Sequence, residues 1–180
     1  MEESRLYLKF PSIEDKEAVM DFKREFLEEF KEPSIPGSGC LARVDTYEEW
    51  LEVVNKDLSP ETCGEGRVPA TQYLAYRIED NKLVGSIQIR HELNDFLLQF
   101  GGHIGGSIRP TERRKGYSSE QIELAMEKCK ELGIDKVLIT CKQSNIASSK
   151  SIQRSKGVLE NEVAMEDGTM MQRFWIDLTK

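Results

Sequence analysis

The residues with the most chemical promise lie in one run, Ser107-Ile108-Arg109-Pro110-Thr111-Glu112-Arg113-Arg114-Lys115-Gly116-Tyr117-Ser118. A strand ends at Arg109-Pro110, a basic turn follows, and a small residue opens a helix. The first N–H groups of a helix have no partner within it. Its dipole adds partial positive charge at the same end, and a glycine at position 116 lets a ligand approach without a side chain in the way. With the charges of Arg113, Arg114 and Lys115, such a turn is shaped to receive an anion, a pyrophosphate above all. The alternative is that the three cations form a solvated turn. The nucleotide-binding GxxxxGK-Ser/Thr loop is absent, and no GxGxxG opens a helix after a strand.

A turn can work only if the elements around it hold it. Residues 5–10 alternate and stop at Pro11, which reads as a first strand. Val19, Phe22, Phe26 and Phe30 then recur at helical spacing and predict an amphipathic helix ending before Pro33. Two loops rich in Pro, Gly and Ser, 32–40 and 58–70, flank a short helix carrying Tyr47, Trp50, Leu51 and Val54 behind Asp45 or Thr46 as a cap. Residues 72–91 read as a hairpin around Glu79-Asp80-Asn81-Lys82. Residues 101–109 read as a further strand despite four glycines, which mark a bulge or a place where something approaches the backbone.

Downstream of the turn, Ile122, Ala125, Met126, Cys129 and Leu132 form an apolar helical stripe stopped by Gly133. The run 136–141 reads as a buried strand. A short helix over 145–155 is closed by Gly157, and two last strands follow around 157–165 and 170–178. The expected order is β-α-α-β-β-β-α-β-α-β-β. It implies an α/β (α+β) fold, a mixed, mostly antiparallel twisted sheet with helices on both faces.

The chain has 180 residues, the length of one domain, with 38% hydrophobic and 32% charged residues, so one independently folding unit over 1–180 is expected. A net charge of −7 argues against broad nucleic-acid binding, which needs a clustered basic face. Cys40, Cys63, Cys129 and Cys141 form no CxxC pair, so neither a zinc ribbon nor a redox motif is expected, and Cys129 and Cys141 read as buried apolar residues. That cysteine usage suits a reducing cytosol. No signal-like N-terminus and no stretch of ~18 apolar residues occurs, so the expectation is a cytoplasmic protein with no membrane or metal partner.

The run Arg113-Arg114-Lys115-Gly116-Tyr117-Ser118 resembles the Q/R-x-x-G-x-G/A signature of the GNAT superfamily of N-acetyltransferases, with Ser118 in place of Gly or Ala. The stretch 141–161 is similar to the family's second signature through Asn145, Ser148, Lys156 and Gly157. Two separated motifs in the family's order extend the resemblance over residues 72–178. Within the superfamily the chain is similar to a bacterial group of acetyltransferases of unknown substrate that carry GGHIG-x-x-x-RP-x-ERRKGY and GVLEN segments.

The resemblance implies transfer of an acetyl group from acetyl-CoA to a primary amine by direct attack. Residues 72–178 would bind acetyl-CoA, and residues 1–70 would cover the acceptor. The backbone at Ile108, Arg109 and Pro110 would align the pantetheine, the N–H groups of Arg113 through Ser118 would hold the pyrophosphate, and Asn145 with Ser148 would border the cofactor. Asn145 also suits a helix N-cap, and Tyr117 reads as a packing residue. In such enzymes the base often lies on the strand before the signature, where this chain has His103; an imidazole of pKa ~6.5 suits neutral pH. A packed strand residue is the alternative for His103, and His91 is a second candidate base. The tyrosine acid common in the family falls on Ile152, which has no proton to give. That substitution leaves a non-catalytic acyl-CoA-binding module as the runner-up. The acceptor, a small-molecule or peptide amine, stays open: Glu25, Glu28, Glu29 and Glu32 would either steer a cationic amine or form a solvated face. A homodimer is one assembly open to such a chain.

Overall fold

The computed structural model describes residues 2–180. Seven strands and four helices follow in the expected order: β1 (Leu6–Lys9), α1 (Lys16–Arg24), α2 (Tyr47–Lys56), β2 (Ala70–Arg77), β3 (Leu83–Arg90), β4 (Ile104–Ile108), α3 (Tyr117–Glu131), β5 (Lys136–Lys142), α4 (Ile146–Arg154), β6 (Val158–Ala164) and β7 (Met170–Asp177). One sheet holds all seven strands in the order β1-β2-β3-β4-β5-β7-β6. Every neighbouring pair is antiparallel except β4 and β5, which run parallel.

That parallel pair decides where a ligand can enter. β3 and β4 pair along five positions, from Gly85↔Ile108 to Ile89↔Ile104. β4 and β5 meet at one position, Ile104↔Ile139, and then part. The edge of β4 from Gly105 to Ile108 therefore faces an opening rather than a strand. Strand alternation fixes which peptide groups look into it. The N–H of Arg109 donates to Val84 O on β3 at 2.8 Å, so the groups turned toward the opening belong to Gly106 and Ile108.

One face of the sheet is covered by α1, α2 and their loops, whose core joins Val19, Phe22, Phe26, Tyr47 and Trp50 to Leu74 of β2. The other is covered by α3 and α4, where Ile122, Ala125, Met126 and Ile152 pack on Ile87 and Ile139. Thr46 caps α2 by accepting the N–H of Glu49 at 3.2 Å, and Gly133 at φ +76° provides the left-handed stop after α3.

The structure departs from the expected pattern at Phe30. The first helix continues as a π turn over Glu25–Glu29, with Phe30 N–H donating to Glu25 O at 3.0 Å. A π turn inserts one residue, which rotates all that follows by roughly 100°. Val19, Phe22 and Phe26 are buried while Phe30 is 48% exposed. Leu132, at the C-cap of α3, likewise lies outside the buried stripe. A second π turn covers Leu97–Gly101.

Candidate active site

The turn between β4 and α3 is anchored by charge. Arg109, 4% exposed, pairs with Asp21 at 2.8 Å and Glu25 at 3.5 Å and lies over the Phe22 ring. Arg113 donates Nε to Ile108 O at 3.1 Å, grips both carboxylate oxygens of Glu32 at 2.6 and 3.0 Å, and lies over Phe26. Thr111 donates its hydroxyl to Glu25 at 2.9 Å. These pairs tie the end of β4 to α1 and its π turn. Arg109 and Arg113 are thus spent on structure, and Arg109 and Pro110 present no peptide N–H to the opening beside β4. Of the three residues expected to align an extended ligand, only Ile108 keeps a free group toward the opening, its N–H, since its carbonyl accepts from Arg113.

Glu112 is the second anchor. Its buried carboxylate accepts from Arg77 at 2.8 Å, Lys82 at 3.0 Å and Lys115 at 2.7 Å. Burial alone would raise its pKa, but hydrogen bonds from Lys115, Lys82 and Arg77 outweigh it and hold the group down at about 2. Tyr117 is buried under Arg5, whose guanidinium lies 4.5 Å from the ring centroid; it packs, as expected.

Between these anchors the backbone is exposed and unpaired. Arg114 and Gly116 take φ +64° and +84°, a conformation natural for glycine and costly for arginine. The N–H groups of Arg114, Lys115, Gly116, Tyr117, Ser118 and Ser119 make no hydrogen bond among the described residues. Six consecutive donors at the start of a 15-residue helix make an anion cradle. Of the three expected cations only Arg114 has an uncommitted side chain. The residues present fit a diphosphate.

The cradle opens on a cavity of about 440 Å³ between the parted strands β4 and β5. Gly105, Gly106, Thr140 and Cys141 line its walls, and Ser118, Asn145 and Ser148 line its α3 and α4 side. Asn145 caps α4, its Oδ1 accepting Ser148 N–H at 3.1 Å, so the capping and lining readings of this residue coexist. Ile152 also lines the cavity. The glycines of β4 do mark a close approach: at Gly37, φ +72°, an added Cβ would lie 2.3 Å from Gly105 O. The loop carrying Gly37 is fastened there by Gln72 and Ser86, which donate to Gly37 O at 2.8 and 2.9 Å.

His103 does not fit the role of base. It sits before β4, 7% exposed, and its Nδ1 accepts the N–H of Leu138 at 3.0 Å. The neutral ring then carries its proton on Nε2 and has no lone pair left for a substrate. Burial and the nearby Arg90 charge push its pKa down to about 4, and it lines neither this cavity nor the neighbouring one. His91, whose Nε2 is 2.7 Å from Thr71 Oγ1, lines neither as well. The acidic row is also largely consumed: Glu25 and Glu32 hold the turn, and Glu29 pairs with Arg24. Sequence reasoning missed Arg90, which lines both cavities; its only signal was a cation ending a buried strand.

No cluster of metal-ligating side chains occurs among the described residues, and no helix is long and apolar enough to cross a membrane. No curated protein matches the sequence. Among solved structures the chain is similar to an acetyltransferase (GNAT family) from Bacillus anthracis, with 19% identity, 99% of this chain and 98% of that one covered, and a TM-score of 0.65. It is also similar to a ribosomal L7/L12 alpha-N-protein acetyltransferase solved in complex with coenzyme A (16% identity, 98% and 96% covered, TM-score 0.68). A third similar structure is a dodecameric spermidine N-acetyltransferase from Vibrio cholerae (15% identity, 98% and 95% covered, TM-score 0.67). The family model described as the acetyltransferase (GNAT) domain matches residues 5–157, the span that contains the parted strands and the cradle, and the chain belongs to the GNAT acetyltransferase family.

Proposed function

We propose that this enzyme transfers the acetyl group of acetyl-CoA to an amine by direct attack. The observation that carries the reading is the single opening bounded by the free edge of β4 and ended by six undonated N–H groups. On this reading the cradle from Arg114 to Ser119 holds the diphosphate, with Arg114 as its one free cation. The peptide groups of Gly106 and the N–H of Ile108 align the pantetheine arm as an added strand. Ser118, Asn145 and Ser148 border that arm. Bound acetyl-CoA supplies an activated acyl group, and the protein supplies position and exclusion of water.

Direct attack is favoured over an acyl-enzyme because the one thiol on the cavity wall, Cys141, is buried and its pKa raised by that burial, which disfavours the thiolate. No Asp, Glu or His lines either cavity. The amine therefore loses its proton to solvent, and Arg90 beside the reaction space favours the neutral amine by repelling the ammonium. The domain division follows: residues 72–178 bind the donor, and residues 1–70 roof the acceptor.

The test is thiol release from acetyl-CoA by the purified protein against a panel of amines. Release that depends on both substrates is expected. Absence of release with every amine, together with no calorimetric binding of acetyl-CoA, overturns the reading.

A further inference from the structure

The second cavity, about 480 Å³, lies on the α1 and α2 side of the sheet and shares Arg90 with the donor cavity. Its charged lining consists of three arginines, Arg43, Arg67 and Arg90, and includes no Asp or Glu. In a chain of net charge −7 this is a local inversion of sign.

Two of the three guanidinium groups lack a carboxylate partner among the described residues. Arg43 makes no side-chain hydrogen bond or ion pair, and Arg90 donates only to the carbonyls of Gly101 and Gly102, at 3.1 and 3.2 Å. Arg67, also in the lining, pairs through Nη2 with the buried Asp57 at 3.0 Å, and its other guanidinium nitrogens make no hydrogen bond among the described residues. Burial lowers the pKa of Arg90, as expected for a guanidinium without a counter-charge. A further polar group points the same way: Gln88 lines the cavity, and its amide, open to that space, makes no hydrogen bond among the described residues. Uncompensated cations facing one space repel one another, and the Gln88 amide adds a polar group free to bond whatever enters. One occupant relieves that repulsion: an oxyanion able to take two-pronged hydrogen bonds from guanidinium groups. Asn94 and Phe96 complete the wall, giving a polar end and an apolar side.

We infer that this cavity binds the carboxylate or phosphate of an acceptor that carries its amine at the other end, so that the acceptor class is amino acids, their derivatives or aminoalkyl phosphates rather than polyamines. The inference rests on the acetyl-transfer reading for its amine and on the second cavity alone for its acid. Arg90, at the junction, holds the near side of the oxyanion and keeps the amine facing the donor cavity. Arg43 and Arg67 hold the far side.

The experiment compares matched acceptors in thiol release: free amino acids and dipeptides, the same compounds with the carboxylate converted to an amide, aminoalkyl phosphates, and spermidine. Arg43→Gln is the variant of choice, because the residue is exposed and supports no other contact. The expected result is a kcat/KM about tenfold or more higher for the acids than for the amides and spermidine, with Arg43→Gln erasing most of that difference by raising KM for the acids. Preference for carboxylate over phosphate, or the reverse, identifies which oxyanion is used. Equal kcat/KM for acids and amides, or a preference for spermidine, overturns the inference and leaves acetyl transfer standing. Calorimetry with the acids, in the presence of CoA, separates the two readings. Binding that weakens about tenfold in Arg43→Gln while no amine is acetylated supports the oxyanion site and refutes acetyl transfer. Absence of binding by any acid, with turnover of other amines, refutes the site.

Discussion

Glu112→Gln removes one negative charge and little else, so it isolates the clamp that shapes the cradle. The carboxylate holds Arg77 and Lys82 of the β2–β3 hairpin and Lys115 of the turn, and its pKa falls from the ordinary 4.5 to about 2. A depression of roughly two and a half pKa units corresponds to about 3 kcal/mol of stability at pH 7. Because the folded-state value is the lower one, this contribution is complete above pH 4.5 and is lost as pH falls toward 2. At pH 3 it is down to roughly 1.5 kcal/mol, and below pH 2 it is gone. Urea unfolding of wild type and Glu112→Gln at pH 7, 5, 4 and 3 measures it. The expected gap is about 3 kcal/mol at the two higher values, shrinking to about half at pH 3, with weaker acetyl-CoA binding at pH 7. A gap that is constant across the series, or one that widens toward acid, refutes the argument, because either would mean that the ionised carboxylate is not what the three cations recognise.

Three further outcomes follow from single contacts. Gly116→Glu places a side chain and a negative charge at a φ of +84° inside the cradle; calorimetry should show acetyl-CoA affinity reduced about a hundredfold or more, and unchanged affinity would move the diphosphate elsewhere. His103→Gln should leave the pH profile of kcat/KM intact. The buried neutral ring costs wild type stability as pH falls from 6.5 to about 4, since the unfolded chain takes up the proton first; the variant should lack that slope, and loss of an ionisation from kcat/KM would instead make His103 the base. Gly37→Ala brings a Cβ within 2.3 Å of Gly105 O, so denaturant unfolding should report a loss of about 1–3 kcal/mol; a stable variant with unaltered KM for the amine would mean that this loop does not roof the acceptor space.

What could be read from the sequence follows from the range of the interactions. The eleven regular elements carry their own periodicity, so Ile122, Ala125, Met126 and Cys129 declare a helix face without reference to any neighbour. The cradle was legible for the same reason: a glycine, a basic run and the first turn of a helix act within a few residues of one another. The π turn at Glu25–Glu29 was not, because one inserted residue leaves composition and capping untouched and shows itself only in where Phe30 points. The partners of Arg109 and Arg113 lie 88 and 81 residues away, a separation at which nothing local distinguishes a phosphate ligand from an anchor.

Net charge misleads at this site for a related reason. A sum of −7 suggests an acidic surface that draws in cationic amines, yet the field inside a cleft is set by groups within about a Debye length, weighted by burial. Glu25, Glu32 and Glu112 are neutralised by the cations they hold around the β4–α3 turn, so the acidic residues nearest that turn act as fasteners. Arg43, Arg67 and Arg90 come from three separate segments, a loop before α2, the loop before β2 and the end of β3, and converge only when the sheet forms. The total is acidic while the second cavity is basic, and whatever enters it responds to the cavity rather than to the sum.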